Sequence, residues 1–349
     1  MYHEDPTHVA TACQAVILFV LAVAATWAVD ESGKETFDGD LDSFKESDTY
    51  FNAAWEKLAS EKGPPTLESV QARMTGVLYL LNTSRPNQAW FLFGTTVQLA
   101  TSLGLHRRRT LNNTKSDFIV QECRRRLLWN CYTLDTYLSV MFGRPRLLRD
   151  EDIDQDFPHQ INDEDMTAEG IKPVLGRKDC LLKAPIFHAK LARIVSQASR
   201  EQYSIHDVPD KERRSIAALW NNEIAAWQDE LPPFLSGAIH ASSLIPVLWR
   251  QMTVLRLAHS HAIMLVNRPF LLYKTEQQTV RHLVTKCLLA AKEVVDLIIG
   301  FMQDGLGFPF WYTQVILSRS LLCPYMPRSE LQAVQVAVRS PTPYQTSKR

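Results

Sequence analysis

Between Val120 and Met141, apolar residues return every three or four positions: Val120, Cys123, Leu127, Cys131, Leu134, Leu138 and Met141. Over about six turns that spacing places them on one side of an α-helix, whereas a strand would scatter them over both faces. Gly143-Arg144-Pro145 then closes the run, pairing a residue that tolerates a chain reversal with one that cannot continue a helix. A stripe of this length has to be covered by other helices, and that requirement governs the reading of the remaining chain.

Those helices are visible. Tyr50 to Glu61 is helical and stops at Gly63-Pro64-Pro65. Thr66 has the character of an N-cap, with Glu68 in the first turn, and Val70, Met74, Val77 and Leu81 form one stripe behind it. From about Pro86 to Leu103, residues Ala89, Phe93, Val97 and Ala100 share a face. Gly94 is expected there to admit a close neighbour, and Gly104 to form a left-handed cap. A polar loop (Asn112 to Asp117) leads into the long stripe, and residues 146 to 176, with Pro158, Gly170, Pro173 and Gly176, read as an extended acidic connection.

Helices resume at Asp179 to Glu201 and at Asp210 to Glu230. Ala241 to Asn267 turns Leu244, Leu248, Met252, Leu255, Ala262 and Leu265 inward until Arg268-Pro269 ends it. Thr279 to Met302 aligns Val280, Val284, Cys287, Ala291, Val294 and Ile298. The expected fold is all-α: a large body of packed antiparallel helices without a significant sheet. Residues 1 to 317 are expected to form this domain. Residues 318 to 349, with Cys323-Pro324 and Pro341-Thr342-Pro343, read as an irregular tail where the fold is truncated.

With 46% hydrophobic and 22% charged residues, the chain is too apolar to be disordered throughout. Its formal net charge is zero, so no overall field announces a nucleic-acid or membrane partner. Val9 to Val29 is uncharged and long enough to span a bilayer. Its flanks argue against that: acids and no lysine or arginine precede it, and an acidic stretch follows. A buried core helix is the expectation, with a membrane anchor through these residues as the alternative.

Catalysis has no visible carrier. The chain contains no GxSxG elbow, no GxxxxGK loop and no GxGxxG turn. Six cysteines are scattered singly without a CxxC pair, the arrangement of reduced, buried thiols. His188, His259, His261 and His282 lack paired-ligand spacing. Asp150, Asp152, Asp154 and Asp156 alternate, but an EF-hand loop counted from Asp150 would need glycine and glutamate where Gln155 and Ile161 stand. Neither a catalytic, nor a cofactor, nor a metal site is therefore expected. Trp90, Trp129, Trp220, Trp227 and Trp249 lie at helical spacing and are assigned to the core.

Charge is uneven locally. His106 to Arg149 holds ten lysines and arginines against three acids, and Asp150 to Glu169 holds nine acids and no lysine or arginine. A phosphate-binding patch from Arg107, Arg108, Arg109 and Arg124, Arg125, Arg126 is one reading. Pairing of the basic helix ends with the following acidic segment is the favoured one.

Two stretches carry a resemblance. Residues 69 to 108 (SVQARMTGVLYLLNTSRPNQAWFLFGTTVQLATSLGLHRR) resemble the opening of the fungal-specific transcription factor domain, or middle homology region, of zinc-cluster transcription factors. Residues 122 to 158 (ECRRRLLWNCYTLDTYLSVMFGRPRLLRDEDIDQDFP) are similar to its most recognisable part. The signature falls on Gly104, His106, Arg107, Arg125, Arg126, Trp129, Asp135, Gly143, Arg144, Pro145, Asp152, Ile153 and Pro158. Weaker likeness extends over about residues 5 to 315, including NRPFLL at 267 to 272, and favours the core reading of residues 9 to 29.

The resemblance implies regulation of RNA polymerase II transcription in the nucleus. It implies zinc and DNA binding only through a cysteine-rich cluster not found in these residues. The implied partners are other transcription-factor subunits or coregulators and a small-molecule effector, without a membrane. A helical ligand-binding or scaffold protein that does not act at promoters is the alternative. The signature residues are expected to be structural, with Arg107, Arg125 or Arg126 pairing with Asp135 or with the acidic turn.

Overall fold

Phe19 shows how the first helices are joined. In the computed structural model, which describes residues 10–26, 41–108, 117–172, 180–239, 244–272 and 278–303, its ring lies fully buried in α1 (Thr11–Ala25). Ala12, Ala15 and Ala22 are buried with it and keep that face thin. The ring meets Phe51 of α2 (Leu41–Ala59) edge-on at 5.5 Å between centroids. It also lies against Gly76 of α3 (Leu67–Asn82), where an added Cβ would come within 3.1 Å of it. Phe51 in turn stacks on Tyr79 at 4.7 Å.

Helix α1 has 15 residues, a length of about 22 Å against the roughly 30 Å of a hydrocarbon core. Among the described residues no helix is long and apolar enough to cross a membrane. Trp27 to Val29, Arg109, loop residues 112 to 116, Pro173, Gly176, Ala241 and the tail from Ser318 lie outside the described residues.

The chain divides into two compact units, Met1–Ser196 and Gln197–Arg349. In the first, α3 packs on α1 and on α4 (Pro86–Ser102), and α5 (Phe118–Phe142) touches α3 and α4. All four stripe residues of α3 and all four of α4 are buried as expected. Gly94 is a correction: nothing lies within 4 Å of where its Cβ would be, and the close approach is at Gly76 instead.

Helix α4 ends as its sequence predicts. Gly104 takes φ +66°, the Gly104 N–H donates to Thr101 at 2.9 Å, and the Leu105 N–H reaches back to Ala100 at 3.0 Å. These are the two bonds of a Schellman cap, sealed by the fully buried Leu105. Residues 144 to 165 then form a strap with two short 3-10 turns. The only sheet among the described residues follows, a two-residue hairpin pairing β1 (Met166–Thr167) with β2 (Gly170–Ile171). Helix α6 (Lys183–Gln202) comes next.

The second unit holds α7 (Asp210–Asp229), the single turn α8 (Pro233–Ser236), α9 (Pro246–Asn267) and α10 (Gln278–Gln303). Pro246 at the first turn starts α9 later than the pattern suggested, since its missing N–H is harmless only there. Helices α9 and α10 pack side by side. Buried Asn221 of α7 and Asn267 of α9 exchange two amide hydrogen bonds, both at 3.0 Å. The architecture is all-α.

Candidate functional site

Helix α5 carries two carboxylates with no exposure at all, Glu122 and Asp135. More than three turns apart, each is held by a different part of the strap.

Of the two partners expected for Arg107, Arg125 or Arg126, the acidic segment takes Arg107 and Arg126, and Asp135 takes none of the three. Its partner is Arg146, whose Nε donates to the carboxylate at 3.2 Å. The backbone N–H groups of Leu147 and Leu148 donate to it at 3.0 Å each. The reason lies in the preceding turn. Gly143 adopts the left-handed conformation, φ 65°, and the Arg144 N–H closes on Ser139 at 3.1 Å. Pro145 follows with no N–H to donate, so the next three residues bring their donors back onto the helix.

Arg146 extends the cluster. Its guanidinium reaches Asp150 at 3.2 Å, bonds Ser196 Oγ, and lies 4.4 Å over the Tyr132 ring. The Tyr132 hydroxyl donates to Asp150 at 2.5 Å. Burial raises the Asp135 carboxyl above its ordinary value, although Arg146 and the two amides act against it. Burial also pushes Tyr132 and Cys131 up to about 12, which keeps both protonated.

Glu122 is held otherwise. Arg125 and Arg126, three and four residues on along the helix, each approach it at 3.3 Å. The tie to the strap comes through His159, whose backbone N–H and Nδ1 both lie 2.9 Å from the carboxylate. Pro158 immediately precedes that residue. Arg126 further bonds Asp163 at 2.5 Å and the Ile161 carbonyl at 3.2 Å.

Between these clusters Trp129 donates its indole N–H to the Asp156 carbonyl at 2.7 Å and stacks on Phe157 at 4.0 Å. Residues 103 to 108 are stitched to the same stretch. The Asp154 N–H donates to the His106 carbonyl at 3.2 Å, and Gln155 Nε2 donates to the carbonyls of Leu105 and Arg107. Arg107 reaches Asp154 at 3.9 Å, and Arg108 pairs with Asp156. Arg124 donates to the Leu103 carbonyl at 2.8 Å. Arg144 lies 5.1 Å over the Trp90 ring and donates to Asn87 at 2.9 Å. Asp152 is exposed in its 3-10 turn.

The signature residues thus fall along one seam joining α4, α5 and the strap. Among the described arginines of the basic stretch, Arg107, Arg108, Arg125 and Arg126 pair with acids, Arg107, Arg108 and Arg126 of them reaching the acidic segment, while Arg124 turns to backbone carbonyls. Asp150, Asp154 and Asp156 turn to different partners, and no group of three or more His, Cys, Asp or Glu among the described residues is arranged to hold a metal. Sequence reading missed Glu122, Arg146 and His159. Only Glu122 left a signal, its spacing of three and four to Arg125 and Arg126. His188 of α6 stands near Tyr137 of α5 at 5.1 Å, and burial lowers it to about 4, so it is neutral in the fold. Beside the seam lies a cleft of about 190 Å³ bordered by Trp129, Tyr132, Phe157 and Arg193.

Such a constellation defines an all-helical domain whose charged groups are spent on fixing a strap to a helix. The family model described as the fungal specific transcription factor domain matches residues 2–230. The chain belongs to that family. It is similar to Activator of stress genes 1 of Saccharomyces cerevisiae, 24% identical over 323 residues, covering 89% of this chain and 33% of the relative. Activator of stress genes protein 1 of Candida albicans is 24% identical, covering 81% of this chain and 31% of the relative. Transcriptional activator protein acu-15 of Neurospora crassa is 22% identical, covering 70% and 26%. The chain spans about a quarter to a third of the length of these relatives. No solved structure matches it.

Proposed function

We propose that this chain is the regulatory domain of a fungal zinc-cluster-type transcription factor, controlling RNA polymerase II transcription in the nucleus, and that it is not an enzyme. The observation that carries the reading is the family match across residues 2–230, the stretch containing the whole seam. DNA is contacted, and zinc bound, only by a module outside these residues, which hold no CxxC pair. Four of the arginines that could have gripped phosphates, Arg107, Arg108, Arg125 and Arg126, are turned onto Glu122, Asp154, Asp156 and Asp163. Other transcription-factor subunits or coregulators dock on the helical body, a small-molecule effector tunes it, and no membrane is involved.

A gel-shift across a range of salt, with the chain alone and the chain fused to a zinc cluster, tests the DNA part. Sequence-selective binding is expected of the fusion only, and tight selective binding by the unfused chain overturns the assignment. Tethering the chain to an unrelated DNA-binding domain tests the regulatory part. Reporter output should change, and an unaltered output removes the regulatory role.

A further inference from the structure

The second unit holds a groove of about 320 Å³ walled by α7, α9 and α10. Its polar side chains sort into two groups. Asn221 is consumed: its amide donates to the Ala217 carbonyl at 2.7 Å and trades hydrogen bonds with Asn267. Glu293, the one carboxylate on the wall, is also consumed. One oxygen takes Arg256 at 2.9 Å and the other the Ser260 hydroxyl at 2.9 Å. His259, Lys286 and Gln228 remain, and the side chains of these three make no hydrogen bond or ion pair among the described residues. Lys286 and Gln228 are exposed at the rim, and the His259 ring lies deeper, parallel to Trp227 at 6.0 Å. Burial holds His259 below its ordinary value, so it is a neutral donor there.

What the groove leaves unmet is therefore donor capacity with a positive bias, over an aliphatic floor of Ile224, Ile263 and Ala290. We infer that it binds a small organic carboxylate with a short branched aliphatic body, the anionic head at Lys286, His259 and Gln228. The aliphatic part lies on Ile224 and Ile263. A cationic ligand has no free carboxylate to meet, and a wholly apolar one would make no use of the three donors and would cover His259 without bonding it. This deepens the effector part of the proposed function and rests on that reading for its regulatory meaning.

Ligand-observed NMR titration of the full chain with isovalerate, isovaleramide and isopentylamine tests it. Isovalerate should bind in about the millimolar range or tighter. The amide should bind about tenfold more weakly, one charge-assisted hydrogen bond being at stake, and the amine should not bind. Lys286→Met should reproduce the loss of about tenfold, and Ala225→Phe, which fills the groove from an exposed position, should abolish binding. Circular dichroism shows whether each variant is folded. Equal binding of all three probes, no binding of isovalerate, or full affinity in both folded variants overturns the assignment. The tethered reporter separates the two claims: output that changes while isovalerate fails to bind removes the groove site and leaves the regulatory domain standing.

Discussion

The strap from Arg144 to Asp165 presents two ends that look alike in sequence and differ in kind. Near its start, Arg146, Leu147 and Leu148 deliver a guanidinium and two backbone N–H groups to a carboxylate with no exposure. Further on, Asp154 and Asp156 meet Arg107 and Arg108 with all four side chains about half exposed. An acid-base alternation runs through both. Only the first is placed where water cannot substitute for the partner, and burial there sets the strength of the contact. The strap is anchored near its start and trimmed with surface charge at Asp154 and Asp156.

The anchor should give the largest effect. Asp135→Ala leaves Arg146 in a dry site and strands two amide donors. It is expected to cost roughly 3–5 kcal/mol, toward the lower figure because Asp150 stays beside Arg146. Urea unfolding measures it, and a midpoint equal to wild type would remove the anchor altogether. Asp135 also gives the contrast a pH signature. Its folded pKa is raised, so the folded chain keeps a proton where the unfolded chain has released it. Its contribution is then fullest below the unfolded pKa and declines as pH rises through the folded one. Asp135→Asn has no proton to lose and should lack that decline.

Glu122 stands between the two ends. It is as buried as Asp135, yet Arg125 and Arg126 belong to its own helix and bind it whether or not the strap is in place. Only His159 crosses over. Glu122→Gln should therefore cost less, about 2 kcal/mol for weakened charge-assisted bonds. A loss equal to that of Asp135→Ala in the same urea titration would mean that the intrahelical arginines contribute nothing independent.

Much of this fold could be read from spacing. The stripes of α3, α4 and the last turns of α5 lie where periodicity put them, because burial of a helix face repeats with the helix itself. The first turns of α5 depart from it. Val120 is 47% exposed and Glu122 takes the inside, since His159, 37 residues later, supplies what a buried carboxylate needs. Arg146 as the partner of Asp135 was equally hidden, being set by a glycine-proline turn rather than by any repeat. Packing partners of glycines were hidden too, and a pair of substitutions measures that. Gly76→Ala must push on Phe19 and Leu92, 3.1 and 3.3 Å from the new Cβ, for a net cost of about 1 kcal/mol after the gain in helix propensity. Gly94→Ala meets nothing within 4 Å and should stabilise by about 0.5–1 kcal/mol. Reversed signs in thermal unfolding would restore Gly94 as the close-approach site.

The smallest effect belongs at the exposed end. Arg107 and Asp154 approach only to 3.9 Å with side chains 59% and 57% exposed. Water screens such a pair and each side chain gives up rotamer freedom to form it, so Arg107→Ala should change stability by less than about 0.5 kcal/mol. What holds residues 105 to 107 to the strap is instead the Gln155 amide on two backbone carbonyls, together with the Asp154 N–H on His106. None of these bonds uses the Arg107 side chain. A loss approaching that of Glu122→Gln would make the exposed end an anchor in its own right and erase the contrast. A negligible loss accompanied by altered output from the tethered chain would instead assign the Arg107 side chain to a partner of the domain, a use of charge that intramolecular packing leaves open.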